Sequence, residues 1–179
     1  MALFGGIYNN LVQSDEAVKS AWSQVENVYQ RRLDLIPNLV ETVKGYAAHE
    51  RETLEAVIEA RSKISAVNIS PEVVNNPSAL AQFEALQGNL SGALSRLLAV
   101  IERYPDLKAN QNFLTLQAQL EGTENRIAVE RMRFNEAARQ FNTMRRVFPN
   151  NLIANLFGFQ EKVYFKADEA AAKVPLVQF

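Results

Sequence analysis

The chain has 179 residues, which suffices for one well-filled core and makes a second independent domain unexpected. Its 19 Lys and Arg residues are balanced by 20 Asp and Glu residues, so no overall positive charge attracts nucleic acid, and we expect no nucleic-acid partner. The sequence contains no cysteine and a single histidine, His49, which excludes disulfides, thiolate nucleophiles and cysteine-based metal centres.

The N-terminal stretch, MALFGGIYNNLV, is apolar and has no polar leader, as expected for the end of a longer apolar segment. We therefore interpret residues 1–8 as the remnant of an N-terminal anchor and expect the fold to begin at residue 9. No stretch approaches the roughly 18 consecutive apolar residues of a membrane span, so the chain itself is expected to be soluble.

The next part of the chain, from Leu11 to Ile64, carries apolar residues at intervals of three and four. This spacing is typical of helices that bury one face. The expected buried residues are Val18, Trp22, Val25, Tyr29, Ile36, Val40, Val43, Ala47, Leu54, Val57 and Ile64.

Pro37 marks a point where this helical region is expected to divide. A proline inside a helix costs about 3 kcal/mol and disfavours helical dihedrals at the preceding residue, Ile36. With Asp34 as the N-cap, Pro37 falls instead in the first turn of a new helix, and we favour a hairpin here. The alternative keeps one kinked helix through Pro37 and places the turn near Gly45. The apolar stripe stays in phase across both points and does not decide between them.

A loop is predicted over residues 68–77, NISPEVVNNP, which lack an amphipathic period. Asn76 followed by Pro77 predicts the start of a third helix, which we expect to continue to about Tyr104. Gly88 and Gly92 lie inside this helix, where glycine costs about 1 kcal/mol relative to alanine. Close approach of another helix is the usual reason, so the two glycines predict either a contact within the chain or a homo-oligomer surface.

The last long helix is predicted from a strict seven-residue apolar repeat. Such a repeat predicts a helix from Asp106 to Phe148 that packs in a left-handed supercoil and is stopped by Pro149. The repeat consists of Phe113, Leu120, Ile127, Phe134, Phe141 and Phe148. With the helices before it, this pattern predicts an all-α fold, an antiparallel four-helix bundle with long helices over residues 9–149.

The remaining residues, 150–179, are predicted to form a tail. NNLIANLFGF is expected to add a helical turn before Gly158, and the aromatic and apolar residues that follow are expected to pack on the bundle.

Residues that suggest catalysis occur without the partners that catalysis needs. His49 and Glu50 resemble half of a zinc-binding motif, but no second histidine follows one turn later. Glu50, Glu52, Glu55 and Glu59 alternate with basic residues at helical spacing, which favours a solvated face of ion pairs. Phosphate-binding and nucleophile motifs are absent. We therefore predict a protein that is not an enzyme and that has no catalytic, cofactor or metal site.

Polar residues within the predicted apolar seams are interpreted as structural. Arg32 falls between Tyr29 and Ile36, where an apolar side chain was expected, so its stem is predicted to pack while its guanidinium is paired. Thr123 and Glu130 interrupt a second seam of the last helix, where polar residues usually set register or partner choice.

The strongest local charge lies in ERMRFNEAARQFNTMRR, near the end of the last helix. Arg139, Arg145 and Arg146 are candidate contacts with anionic lipid or an acidic partner. The alternative is a core helix whose basic face is solvated.

Three segments together resemble the LemA family: RRLDLIPNLV, YPDLKANQNF and the closing VYFKADEAAAKVPLVQF. The resemblance extends over nearly the whole chain and implies a bacterial four-helix bundle held at the cell membrane by an N-terminal span. It implies that the bundle lies in the cytoplasm, although some relatives resemble lipoproteins with a cysteine just before the positions of Tyr8 and Asn9. This chain has neither that span nor that cysteine, and the family supplies no catalytic residues.

The leading functional hypothesis is a non-catalytic scaffold or protein-interaction module at the bacterial membrane, with an unidentified membrane or protein partner. The alternative is a protein that binds or shapes a membrane surface through its basic helix face.

Overall fold

The computed structural model describes residues 2–166, and all regular structure in this range is helical. This confirms the all-α prediction for the described part of the chain. The helices are α1 (Ala2–Lys44), α2 (Arg51–Ala66), α3 (Pro77–Ile101), α4 (Pro105–Lys108), α5 (Gln111–Arg146) and α6 (Asn150–Leu156), with a 3-10 turn at Pro71–Asn75.

The helices pack mainly in two pairs, α1 with α5 and α2 with α3. Arg32 on α1 contacts Glu124 on α5, whereas Trp22 on α1 contacts Phe134, so α1 and α5 run in opposite directions. All the apolar residues expected to be buried between residues 18 and 64 are buried. This packing is consistent with a bundle, while the antiparallel four-helix arrangement stays a prediction.

The hairpin predicted at Pro37 is wrong, because α1 continues through Pro37 to Lys44. Pro37 has no N–H, so the carbonyl of Leu33, four residues earlier, loses its helical donor. Arg61 on α2 supplies a replacement: its Nε donates to the Leu33 carbonyl oxygen at 3.1 Å. The chain turns instead at Gly45, directly after α1 ends, as the alternative predicted.

The last long helix differs from its prediction at both ends. Pro105–Lys108 forms a separate short helix, and α5 begins after Asn110, whose side chain accepts from the Phe113 N–H at 3.1 Å. α5 ends at Arg146, so Phe148 lies beyond the helix and is 80% exposed instead of lying in the core. The other five members of the seven-residue repeat are buried as predicted.

The other helix boundaries agree more closely with the sequence. Asn76 caps α3 as predicted, since its side-chain oxygen accepts from the N–H groups of Ser78 and Ala79, both at 3.1 Å. α3 ends at Ile101, slightly earlier than expected, and the predicted turn after Pro149 is helix α6.

The segment after α6 packs on the helices, as predicted for the part of the tail that the structure describes. The Val163 N–H donates to the Val74 carbonyl at 2.9 Å. The ring of Phe165 lies 5.9 Å from that of Trp22 and 5.5 Å from that of Phe134. The closing stretch VPLVQF lies outside the described residues.

Candidate functional site

No helix in the described range is long and apolar enough to cross a membrane. Among residues 2–166, no group of three or more His, Asp or Glu side chains lies together in a way that would hold a metal ion. His49 is exposed in the turn before α2, and Glu50 accepts a hydrogen bond from the Tyr104 hydroxyl at 3.0 Å. The absence of catalysis stays a prediction.

The carboxylates of α2 form ion pairs along an exposed helix face. Arg51 contacts Glu55 at 2.7 Å, and Lys63 contacts Glu59 at 2.9 Å, both across one helical turn. Pairs of this kind contribute only a few tenths of a kcal/mol, about 0.3–0.5 each. The interpretation of these residues as a solvated face is confirmed.

The apolar end of the molecule is formed by two segments that are distant in sequence. The first turns of α1 and the residues around α6 meet there, because the ring of Tyr8 lies 4.8 Å from that of Phe157 and 5.9 Å from that of Phe159. Leu3, Phe148 and Leu156 are 70%, 80% and 76% exposed. The exposed large apolar residues at this end are Leu3, Phe4, Tyr8, Val147, Phe148, Leu152, Leu156 and Phe157.

These exposed apolar side chains form a candidate contact surface. Single exposed apolar residues are ordinary on soluble proteins, but large contiguous apolar patches usually mark contacts with proteins, ligands or membranes. Leu3, Phe4 and Tyr8 belong to this surface, and they lie in the first turns of α1, which continues without a break.

The apolar end carries no acidic side chain in the segments that form it. Residues 2–14 and 137–160 contain no Asp or Glu, whereas 137–160 contains Arg139, Arg145 and Arg146. Any net charge that these two segments present is therefore positive.

The three arginines predicted as lipid or partner contacts differ in their surroundings. Arg139 is bound to Glu136 through two hydrogen bonds of 2.7 and 3.0 Å. The half-buried Arg145 donates from Nε to the Phe159 carbonyl at 2.6 Å, which ties α5 to the segment after α6. Arg146 is exposed at the last residue of α5. Of the three, Arg146 is the one best placed to meet a ligand.

Arg32 is buried at the centre of the molecule, with only 1% of its surface exposed. Its Nη1 donates to Ser91 Oγ at 2.7 Å and to Glu124 Oε1 at 3.0 Å. Its Nη2 donates to Gln87 at 2.6 Å (side chain) and 3.1 Å (backbone carbonyl), and the guanidinium lies 5.3 Å from the ring centre of Tyr29. The prediction of a paired structural arginine is confirmed, and its contacts connect α1, α3 and α5.

The polar residues predicted in the second seam of α5 are also buried. Glu130 accepts from Arg133 Nη1 at 3.1 Å, and Thr123 donates to the Gln119 carbonyl at 2.7 Å. Both therefore have hydrogen-bond partners on their own helix.

Gly88 and Gly92 are exposed on α3, and a Cβ added at either would meet no atom beyond its own helix within 4 Å. The predicted close helix contact within the chain is therefore wrong. The buried side of α3 is formed instead by leucines such as Leu90 and Leu97. The alternative, a surface for a second copy of the chain, stays a prediction.

Sequence reasoning missed the burial of Lys162, whose side chain is only 3% exposed. Its ammonium group pairs with the Asp15 carboxylate, donates to Asn75 Oδ1 at 2.9 Å and lies 4.7 Å from the ring centre of Phe141. Burial alone would raise the pKa of Asp15, but hydrogen bonds from Lys162 and Lys19 outweigh it and lower the pKa below its usual value. Lys162 was missed because its partners are distant in sequence.

Two asparagines of α5 hold the extended segment that follows α6. Asn142 donates to the Lys162 carbonyl at 2.9 Å and accepts from the Lys162 N–H at 2.8 Å. Asn135 likewise donates to the Phe165 carbonyl at 3.1 Å and accepts from the Phe165 N–H at 2.8 Å. The two asparagines are seven residues apart and so project from the same face of the helix.

The sequence model of the LemA family matches residues 21–179. The chain is 25% identical to Protein LemA of Metamycoplasma hominis, in a match that covers 93% of this chain and 72% of that relative. It is 27% identical to Magnetosome protein MamQ 2 of Paramagnetospirillum magneticum and 26% identical to Magnetosome protein MamQ of Magnetospirillum gryphiswaldense. Both of these matches cover 95% of this chain and 68% of the relative. Because the family match extends over most of its length, the chain belongs to the LemA family.

Proposed function

We propose that this chain is a non-catalytic helical module, an antiparallel four-helix bundle, that works at a bacterial membrane with its apolar end against the lipid. The observation that carries the proposal is the apolar end itself. Its exposed side chains come from both α1 and the α6 region, and the segments that form it contain no carboxylate.

The energetics of lipid contact favour this orientation. Complete burial of a Leu or Phe side chain contributes about 1.5–3 kcal/mol. Leu3, Phe148 and Leu156 are each at least 70% exposed, so even partial insertion of the three removes much apolar surface from water. That contribution is comparable with a single fatty-acyl chain, which supports reversible membrane binding.

Electrostatic attraction adds a smaller contribution. A basic residue close to an anionic membrane contributes about 1 kcal/mol, and salt screens this attraction. Arg146 is exposed next to Val147 and Phe148, so its guanidinium can reach phosphate groups when those side chains enter the lipid.

The second candidate is a protein that binds or shapes the membrane surface through the basic face of α5. The absence of carboxylates from residues 137–160 favours it. Its weakness is that Arg139 and Arg145 already have partners within the chain.

The proposal also includes a cellular location and a set of partners. We propose that the protein lies at the bacterial cell membrane with the bundle on the cytoplasmic side, following the family resemblance. Partners in this proposal are anionic lipid, a membrane or protein partner and a second copy of the chain.

Flotation of the chain with neutral and anionic liposomes, at low and high salt, tests the proposal. The test variant combines Phe148→Ser with Leu156→Ser. Its control combines Ile58→Ser with Met132→Ser, which changes two exposed apolar residues away from the apolar end. We expect the test variant to lose flotation with both kinds of liposome and the control to float like the unmodified chain.

A second pair of variants separates charge from apolar contact. We expect Arg146→Gln to lower flotation only with anionic liposomes at low salt, whereas Arg96→Gln, at an exposed position on α3, has no effect. Failure of the unmodified chain to float, or equal flotation by the Ser double variants, would refute the proposal.

A further inference from the structure

A groove runs between α3 and α5, two helices that scarcely contact each other directly. Part of it is occupied by the extended segment 160–166. A further part, with a volume of about 490 Å³, is open among residues 2–166. Its walls include Ser91, Leu94 and Leu98 from α3 and Leu120, Glu124 and Asn125 from α5.

The occupied part of the groove holds its segment both through backbone hydrogen bonds and through the buried side chains of Lys162 and Phe165. Asn135 and Asn142 each satisfy both the N–H and the carbonyl of one residue in the segment. At Lys166, Glu84 on α3 accepts from the N–H at 3.2 Å, and Arg131 on α5 donates to the carbonyl at 3.0 Å. The hydrogen bonds to the backbone do not depend on the sequence of the bound segment, whereas the pockets around Lys162 and Phe165 do.

The open part lies on the same line as the occupied part. Along the segment, Lys162 contacts Asn142, Phe165 contacts Asn135 and Lys166 contacts Arg131, so the chain advances toward lower residue numbers on α5. The next turns along both helices carry the Arg32 partners Ser91 and Glu124, which line the open part. The two parts are therefore successive stretches of one groove.

The open part offers the chemical groups that bind an extended peptide. Leu94 and Leu120 are each 6% exposed and, with the partly buried Leu98, provide an apolar surface. Asn125 and Gln117 also line it, and a carboxamide can donate to a peptide carbonyl and accept from a peptide N–H, as Asn135 and Asn142 do.

The charge on the rim selects the kind of peptide. Glu121 and Glu124 both line the open part, and Glu121 is exposed. Glu124 already contacts Arg32, which leaves Glu121 as the carboxylate available to a basic side chain. An acidic peptide would be repelled at this rim.

We infer that the open part of the α3–α5 groove binds an extended peptide segment of a partner protein. The segment places one or two apolar side chains against Leu94, Leu98 and Leu120 and a basic side chain beside Glu121. This inference goes beyond membrane contact, because the groove is distinct from the apolar end and is lined by different residues.

Selection of random dodecapeptides displayed on phage, with the full chain immobilised, tests the inference. We expect the enriched peptides to combine apolar residues with Lys or Arg and to lack Asp and Glu. Fluorescence anisotropy then measures the affinity of an enriched peptide for the chain and its variants.

The variants are chosen so that loss of binding reports on the groove. Leu98→Glu and Glu121→Lys should each weaken binding at least tenfold, whereas Ile58→Glu and Glu52→Lys on α2 should leave it unchanged. Circular dichroism and thermal unfolding verify that each variant is folded. Peptides that bind the groove variants as tightly as the unmodified chain, or no enrichment at all, would overturn the inference.

A photo-crosslinking amino acid at position 98 distinguishes the other occupants. A cross-link to the enriched peptide supports the inference. A cross-link to residues 167–179 of the same chain, or to a second copy, would assign the groove to this protein's own residues and would contradict it.

Discussion

The two ends of the molecule expose different kinds of side chain. At the end where α1 turns toward α2, Tyr104 donates to Glu50 at 3.0 Å and Asn110 donates to the Tyr46 hydroxyl at 2.9 Å. At the apolar end, eight large apolar side chains are exposed instead. The two ends therefore differ in polarity, and the proposed lipid contact assigns the apolar end to the membrane.

This difference separates residues that stabilise the fold from residues available for contact. Changes in the interior should lower the free energy of unfolding. Changes at the apolar end should alter binding while leaving stability nearly unchanged.

The largest loss of stability is expected from Arg32→Met. The methionine keeps an apolar stem but leaves Gln87 and Ser91 without their donor in the interior. Removing one member of a buried polar network costs about 3 kcal/mol. Urea unfolding followed by circular dichroism measures the change, and a loss below about 1 kcal/mol would contradict the importance given to these contacts.

A smaller loss is expected from Arg61→Ala, because the Leu33 carbonyl then lacks a donor. An unpaired buried polar group costs about 1–3 kcal/mol. Arg61 is only half-buried, so we expect the free energy of unfolding to fall by an amount near the lower limit of that range.

Pro37→Ala supplies the control for that prediction. Alanine restores an N–H that can bond to the Leu33 carbonyl, so Arg61→Ala should cost less in the Pro37→Ala background. Unfolding of the two single variants and the double variant measures this coupling. Strictly additive losses would show that Arg61 does not compensate for the proline.

Acid should reveal the pairing of Asp15 with Lys162. The folded-state pKa of Asp15 lies below its usual value of 3.8, so the pairing stabilises the fold above that pH. The contribution is lost as the pH falls through the lowered folded-state pKa. Asp15→Asn should therefore be less stable than the unmodified chain at neutral pH, and the difference should shrink in acid. A difference that is constant with pH would contradict this assignment.

The smallest effect on stability is expected at the apolar end. The combined change Phe148→Ser and Leu156→Ser alters two side chains that are mostly solvent-exposed, so the free energy of unfolding should change by no more than about 0.5 kcal/mol per site. Thermal unfolding in the absence of lipid measures this. A large loss would mean that these side chains stabilise the fold.

Local patterns in the sequence predicted much of the fold. The apolar stripe of α1 and α2, the cap at Asn76 and the burial of Arg32 all follow from spacing or from a residue's immediate neighbours. Such features require no knowledge of distant contacts, and they are confirmed.

Two of the errors share a physical cause, which is contact between residues far apart in sequence. The helix through Pro37 depends on Arg61 from another helix, and the burial of Lys162 depends on Asp15 near the opposite end of the chain. Phe148 was expected in the core because its spacing continues the repeat, but α5 ends two residues earlier. The apolar end was therefore predicted only in part, through its N-terminal residues and its arginines.

The central claim is tested most directly by measuring which end of the molecule meets the lipid. The sequence has no cysteine, so Leu156→Cys at the apolar end and Ala48→Cys at the opposite end can each carry a single environment-sensitive fluorophore. With anionic liposomes, we predict a blue shift and quenching by brominated lipid at position 156, and neither change at position 48. Equal responses at both positions, or a response at position 48 alone, would contradict the proposed orientation.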